Sequence, residues 1–197
     1  MNIFLLKLRF YIKKPVSVLV SSEQNSSIIN LISIVGGGWK DIYRFPNKPL
    51  AVLKNNFFIL NCLRENKPHN LRFFLKYSQT PIIIINKKAV DMLLLNIASE
   101  RGYIISDIET ARELQRENEN LNISTVGLSE RSDLWVSDLN ISEETNFKVN
   151  YGGDSVPFWV DKKLNKGEVI EILLVVRAWM ILGMNLVQIS ENIYSRE

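Results

Sequence analysis

The chain has 197 residues, 46% apolar and 23% charged, with 24 basic against 21 acidic side chains and a formal net charge of +3. That balance suits one domain with a packed core; it excludes wholesale disorder and gives no charge-driven case for nucleic-acid binding. One cysteine, Cys62, and one histidine, His69, exclude an intramolecular disulfide, a zinc cluster and any mechanism needing a Cys–His pair plus a second histidine.

The first segment, Met1 to Val20, is apolar but broken by Lys7, Arg9, Lys13 and Lys14. A transmembrane helix needs about 20 apolar residues with few charges, and a secretory signal roughly 7–15 uninterrupted ones. Neither pattern is present, and a cytoplasmic protein is expected. Residues 1–14 read as a short basic helix over Ile3–Ile12, either packed on the domain or lying on a membrane surface.

Residues 15–197 read as a single domain. Pro15 opens a β-type run, Val16–Val20, followed by a polar loop, Ser21–Ser27, and a helical stretch, Ser27–Ile34. Gly36-Gly37-Gly38 is a break that follows a helix, so it lacks the strand–loop–helix context of a phosphate cradle. A second strand is expected at Asn56–Asn61 and a helix from Pro68, with Leu71, Phe74 and Leu75 at helical spacing. Ile82–Ile85 is an all-isoleucine run, which reads as a parallel strand buried on both faces. A helix over Ala89–Ser99 follows, with Val90, Leu93, Leu94 and Ile97 on one face. Next come a strand at Tyr103–Ile105, a polar helix over Asp107–Asn118 capped by Asp107, and a strand at Ile123–Val126.

From there the pattern changes to period two. Leu134–Leu139, Asn146–Tyr151 and Ser155–Val160 alternate, with Gly152-Gly153-Asp154 as a hairpin turn. Lys166–Leu182 is a long helix ended by Gly183, and a last helix covers Leu186–Ile193. The fold class expected is α/β, a three-layer, mostly parallel sheet with helices on both faces and a small antiparallel subsheet. The strands at Val16–Val20, Phe57–Leu60 and Ile82–Ile85 are expected to be neighbours.

The stretch Val126-Gly127-Leu128-Ser129-Glu130-Arg131-Ser132-Asp133-Leu134-Trp135-Val136-Ser137-Asp138-Leu139 resembles a recurring segment of the Mur ligases, in which a glycine–leucine pair and a polar turn precede an "aspartate, apolar, x, apolar, x, aspartate, apolar" run. Phe147–Tyr151 is similar to the family's next strand. Lys166–Leu182, closed by Gly183–Ile189, is similar to its long helix. In the N-terminal half, Lys14–Val20 sits where the family has its first central strand, and Pro49–Leu53 resembles a "proline-leucine-x-apolar-leucine" helix. Phe58–Asn61 with Asn66–Leu71, and then Pro81–Asn86, resemble the next two segments. The matches are individually weak but run in family order. They resemble the central ATP-binding domain, with the D-alanyl-D-alanine-adding ligase as the nearest type. The family's UDP-sugar and C-terminal domains are expected to be absent.

The resemblance implies ATP and magnesium as cofactors, but the residues it maps are altered. The phosphate-loop position is Ser21, Ser22, Glu23, Gln24, Asn25, Ser26 and Ser27, with no glycine and no lysine. Ser26 stands at the lysine position and Ser27 at the hydroxyl position. The same residues also read as an ordinary strand-to-helix loop with a capping serine. Asn61 stands at the family's magnesium-ligand glutamate, and an amide is a weak magnesium ligand. Gly167 stands where the family has a histidine, in the loop before the long helix. The segment carrying the family's modified lysine is expected to be deleted between Ile85 and Ala89. His69 falls at a glycine position with no family role.

No catalytic residue, metal ligand or bound cofactor is therefore expected. Three readings follow. The first is a catalytically degenerate Mur ligase-like pseudoenzyme linked to peptidoglycan precursor synthesis through an unidentified protein partner. The second is an atypical or split ATP-dependent ligase of cell-wall synthesis. The third is an interaction module docking on a partner or a membrane surface.

Overall fold

The computed structural model describes residues 7, 8, 10–12, 14–22, 51–54, 57–61, 68–86 and 90–194. The expected helix at Ser27–Ile34, the Gly36–Gly38 break, Cys62, Glu23–Ser27 and the deletion point at 87–89 lie outside these residues.

The strands are β1 (Val16–Ser22), β2 (Ala51–Lys54), β3 (Phe57–Asn61), β4 (Pro81–Asn86), β5 (Tyr103–Asp107), β6 (Ile123–Gly127), β7 (Leu134–Ile141), β8 (Thr145–Tyr151) and β9 (Asp154–Val160). The helices are α1 (Pro68–Tyr77), α2 (Met92–Arg101), α3 (Ile108–Glu117), α4 (Lys166–Ile181) and α5 (Leu186–Tyr194). The described strands form one nine-stranded sheet in the order β2-β3-β1-β4-β5-β6-β7-β8-β9. β3, β1, β4, β5, β6 and β7 run parallel to their neighbours in that block. β2 pairs antiparallel with β3, and β8 antiparallel with both β7 and β9. The three strands expected to be neighbours are neighbours, in the order β3-β1-β4. The period-two strands continue the parallel sheet through the β6–β7 pair.

Alternation along the strands splits the core into two layers. Val18, Val20, Ile82, Ile84, Ile105 and Val126 face α4, together with Phe147, Val149 and Phe158 from the antiparallel strands. Leu19, Ile83, Ile85, Ile104 and Ile123 face the opposite layer, built from Phe10, α1, α2 and α3. All six residues of β4 are buried, because the central parallel strand is covered on both sides, and its interior, Ile82–Ile85, is accordingly apolar. Phe147, Val149 and Tyr151 share the α4-side face as expected, with the Phe147 ring stacked on Phe158 at 5.7 Å.

Three details differ from expectation. Ala51–Leu53, within the Pro49–Leu53 segment that the resemblance implied to be helical, belong with Lys54 to strand β2, paired along its length with Phe57–Leu60. Its four residues cannot close a stable helix alone, whereas pairing with β3 satisfies their backbone groups. α2 starts at Met92, because Asp91 caps it by accepting from the Leu93 N–H at 2.9 Å. Its buried face is accordingly Leu94, Leu95 and Ala98, and Leu93 is exposed.

The two aspartates of the Asp133–Leu139 run have structural work. The Asp133 carboxylate accepts from the Thr125 N–H at 2.7 Å and from its hydroxyl at 3.0 Å, while the Asp133 N–H donates to the Thr125 hydroxyl. This clamp ties the entry of β7 to β6. Asp133→Ala should lower stability by about 1–2 kcal/mol, read as a shift of the urea midpoint at unchanged slope. Asp138 takes a positive φ of 52° where the β7–β8 register shifts between Ser137 and Asn140, a conformation that aspartate tolerates better than most residues. Its carboxylate lies 2.8 Å from the Lys148 ammonium. That hydrogen bond and the opposite charge raise the Lys148 pKa above its ordinary 10.5. Whatever the pair adds to stability is therefore complete below that ordinary value and fades as pH rises through the raised one.

Candidate functional site at the carboxyl edge of the sheet

In an open parallel sheet, ligands bind beyond the carboxyl ends of the strands, where successive connections leave in opposite directions. Here β1 lies between β3 and β4, so the chain passes to one side of β1 and returns on the other. The switch point falls at the end of β1, where Val20 is level with Asn61 of β3, and Ser21 and Ser22 with Ile85 and Asn86 of β4. The sequence-predicted positions Ser21, Ser22 and Asn61 thus lie at the carboxyl ends of the neighbouring strands β1 and β3. Ser21 is fully buried, and its hydroxyl has no hydrogen-bond partner.

Further along the same edge, a cavity of about 510 Å³ opens over the ends of β4, β5 and β6. Its acidic lining comes from Asp107, Glu109, Glu168 and Glu171, and its described lining includes no lysine, arginine or histidine. Asp107 ends β5 and caps α3: its Oδ1 accepts from the Glu109 and Thr110 N–H groups, both at 3.0 Å. Its Oδ2 is buried without a partner. Glu168 forms a capping box with Asn165, accepting from the Asn165 N–H at 2.7 Å while the Glu168 N–H donates to the Asn165 side chain at 3.0 Å. Glu171, only 4% exposed, accepts from the Asn86 amide at 3.2 Å.

Gly167 also lines the cavity, in the first turn of α4 and not in the preceding loop. The Asn165 cap starts α4 at Lys166, where the sequence pattern placed the start of the long helix. A Cβ at Gly167 would lie 3.1 Å from the Asn165 Oδ1, so the cap itself favours a residue without a side chain there. His69 is exposed in the first turn of α1. Among the described residues no group of three or more His, Cys, Asp or Glu side chains is arranged to hold a metal ion. Glu171 was missed by sequence reasoning. Its signal was a lone carboxylate inside the apolar run Val169–Val176.

This mostly parallel sheet with helices on both faces has known counterparts. The chain has the Mur ligase fold. It superimposes on MurF ligase from Thermotoga maritima in complex with ADP with a TM-score of 0.67 and 11% identity, covering 95% of this chain and 52% of that one. For MurF from Acinetobacter baumannii the TM-score is 0.67 at 12% identity, over 97% and 48% of the two chains. For UDP-N-acetylmuramate–alanine ligase MurC from Thermotoga maritima it is 0.64 at 14% identity, over 96% and 47%. The chain spans about half the length of these three enzymes. No family model and no curated protein matches its sequence. Among the described residues, no helix is long and apolar enough to cross a membrane.

Proposed function

We propose that this protein is a catalytically degenerate Mur ligase-like module. On this reading it corresponds to the ligases' central ATP-binding domain and acts in the cytoplasm in peptidoglycan precursor synthesis, by binding a protein partner and not by ligation. The observation that carries the reading is the charge of the carboxyl-edge site. A nucleotide triphosphate needs backbone N–H groups, a lysine and a hydroxyl-held magnesium around its phosphates. The loop after β1 supplies neither glycine nor lysine, and every charged side chain in the described lining of the cavity further along the edge is a carboxylate. In a partly enclosed site, like charges repel far more strongly than in water.

Magnesium fits no better. Asn61 offers an amide where the family has a carboxylate, Asp107 Oδ1 and Glu168 Oε2 serve helix caps, and Glu171 holds Asn86, which leaves the Asp107 Oδ2 as a lone oxygen where magnesium takes several. The family relative bound to ADP keeps a nucleotide site on the same fold; here that site is read as having lost its phosphate chemistry.

Calorimetric titration with ATP and magnesium tests this. No saturable heat is expected. The atypical-ligase reading draws on the retained cavity, whose volume falls within the range of small-molecule sites. Saturable, magnesium-dependent binding of one ATP per chain would favour it over the degenerate module.

A further inference from the structure

The second surface that stands out is at the other side of the molecule's basic N-terminal segment. Lys7, Leu8 and Phe10–Ile12 are helical, and the turn closes where the Lys14 N–H donates to the Phe10 carbonyl at 2.8 Å, with Lys14 at φ 43°. Phe10 anchors this helix. It is fully buried, with its ring edge-on to Phe74 at 4.9 Å. Tyr11 meets Tyr77 edge-on at 5.2 Å, and the Lys7 ammonium sits 5.2 Å above the Phe73 ring. The segment is thereby held on α1 in a fixed orientation.

That orientation turns a second apolar stripe outward. Leu8, Tyr11 and Ile12 stand at i, i+3 and i+4, on one helical face, and are 47%, 51% and 72% exposed. In the sequence, Phe4 and Leu5 precede Leu8 at the same spacing. A surface helix normally presents polar residues to water, so this face is reversed. The charge on its own segment and on α1 is of one sign. Residues 1–22 contain Lys7, Arg9, Lys13 and Lys14 and no acid, and α1 contributes Arg72 and Lys76 and no acid. Asp91 at the start of α2 lies 3.7 Å from Arg72, and the acids of the helices beyond are Glu100 on α2 and Glu109, Glu113 and Glu117 on α3.

We propose that this helix docks the protein on the interface of an anionic phospholipid bilayer. Leu8, Tyr11 and Ile12 enter the headgroup–acyl boundary, and the flanking lysines and arginines meet lipid phosphates. A basic helix with an apolar face binds anionic interfaces through buried area and charge together, and either alone gives little. A protein groove would call for the apolar stripe but not for the excess of basic residues on this segment and on α1. The proposal is independent of whether the carboxyl-edge site binds nucleotide.

The test is sedimentation of the full chain with vesicles of phosphatidylcholine and phosphatidylglycerol, against phosphatidylcholine alone. The wild type should pellet with the mixed vesicles, less so as salt is raised, and remain in the supernatant with the neutral ones. Leu8→Glu/Ile12→Glu should lose about tenfold or more in vesicle affinity while keeping the wild-type thermal midpoint, since both side chains are exposed. Should the double variant fold poorly, Ile12→Gln should still weaken binding several-fold. Three results would overturn the proposal: wild type that stays in solution with mixed vesicles, equal binding to neutral vesicles, or undiminished binding by a folded variant. A wild-type dimer made monomeric by the double variant, without lipid binding, would assign the stripe to a second copy of the chain instead.

Discussion

Phosphate release from ATP by the purified protein should equal that of a protein-free blank, with and without magnesium. Phosphoryl transfer gains its rate from positioning and from charge placed around the transferring group, so each missing group acts directly on the barrier. The loop after β1 has no lysine to neutralise the terminal phosphate and no glycine to let the backbone approach it, and Glu23 adds a negative charge. The cavity over the ends of β4, β5 and β6 adds Asp107, Glu109, Glu168 and Glu171. Losses inside one catalytic unit do not add, but a barrier raised by about 4 kcal/mol already slows turnover roughly a thousandfold. Reproducible turnover above the blank that disappears in Ser27→Ala would assign Ser27 the hydroxyl role and make the protein an atypical ligase.

The parallel core was legible because burial on both faces leaves a compositional trace: Ile82–Ile85 can hardly be anything but a central strand. The hairpin of β8 and β9 was legible from alternation around two glycines, which take φ values of 59° and 94°. β2 was not, because four residues of mixed propensity carry no period. The available signal was the pair Asn55-Asn56 between two apolar runs, a spacing that suits a two-residue hairpin. The sequence pointed to the β1 loop, Ser21–Ser27, whereas the described lining of the cavity includes none of those residues. Its acidic wall is assembled from strand ends and helix starts far apart in the chain; Asn86 and Glu171 are 85 residues apart. No local pattern announces such a meeting. Asp107 was found, but as a helix cap, since capping is what its neighbours in sequence reveal.

Gly102→Ala should be among the most destabilising single substitutions in the protein, at about 3 kcal/mol, for a reason the sequence does not display. Gly102 ends α2, where its N–H donates to the Ala98 carbonyl, and leads directly into β5. A Cβ there would lie 1.9 Å from the Pro81 carbonyl oxygen and 2.8 Å from the Pro81 carbonyl carbon and Cδ. The obstacle is the backbone at the start of β4, which no side-chain rotation can clear. Overpacking of this kind typically costs 1–3 kcal/mol, and a rigid neighbour puts it near the upper end. Gly183→Ala is the informative control. Gly183 has φ 94° with open space where a Cβ would sit, so its cost is backbone strain alone, about 1–2 kcal/mol. Urea midpoints should therefore fall further for Gly102→Ala than for Gly183→Ala, at similar slopes. An equal or smaller loss at Gly102 would mean that β4 and β5 can slide apart cheaply. Asn86 and Asp107, at the far ends of those two strands, would then no longer be held in register over the cavity.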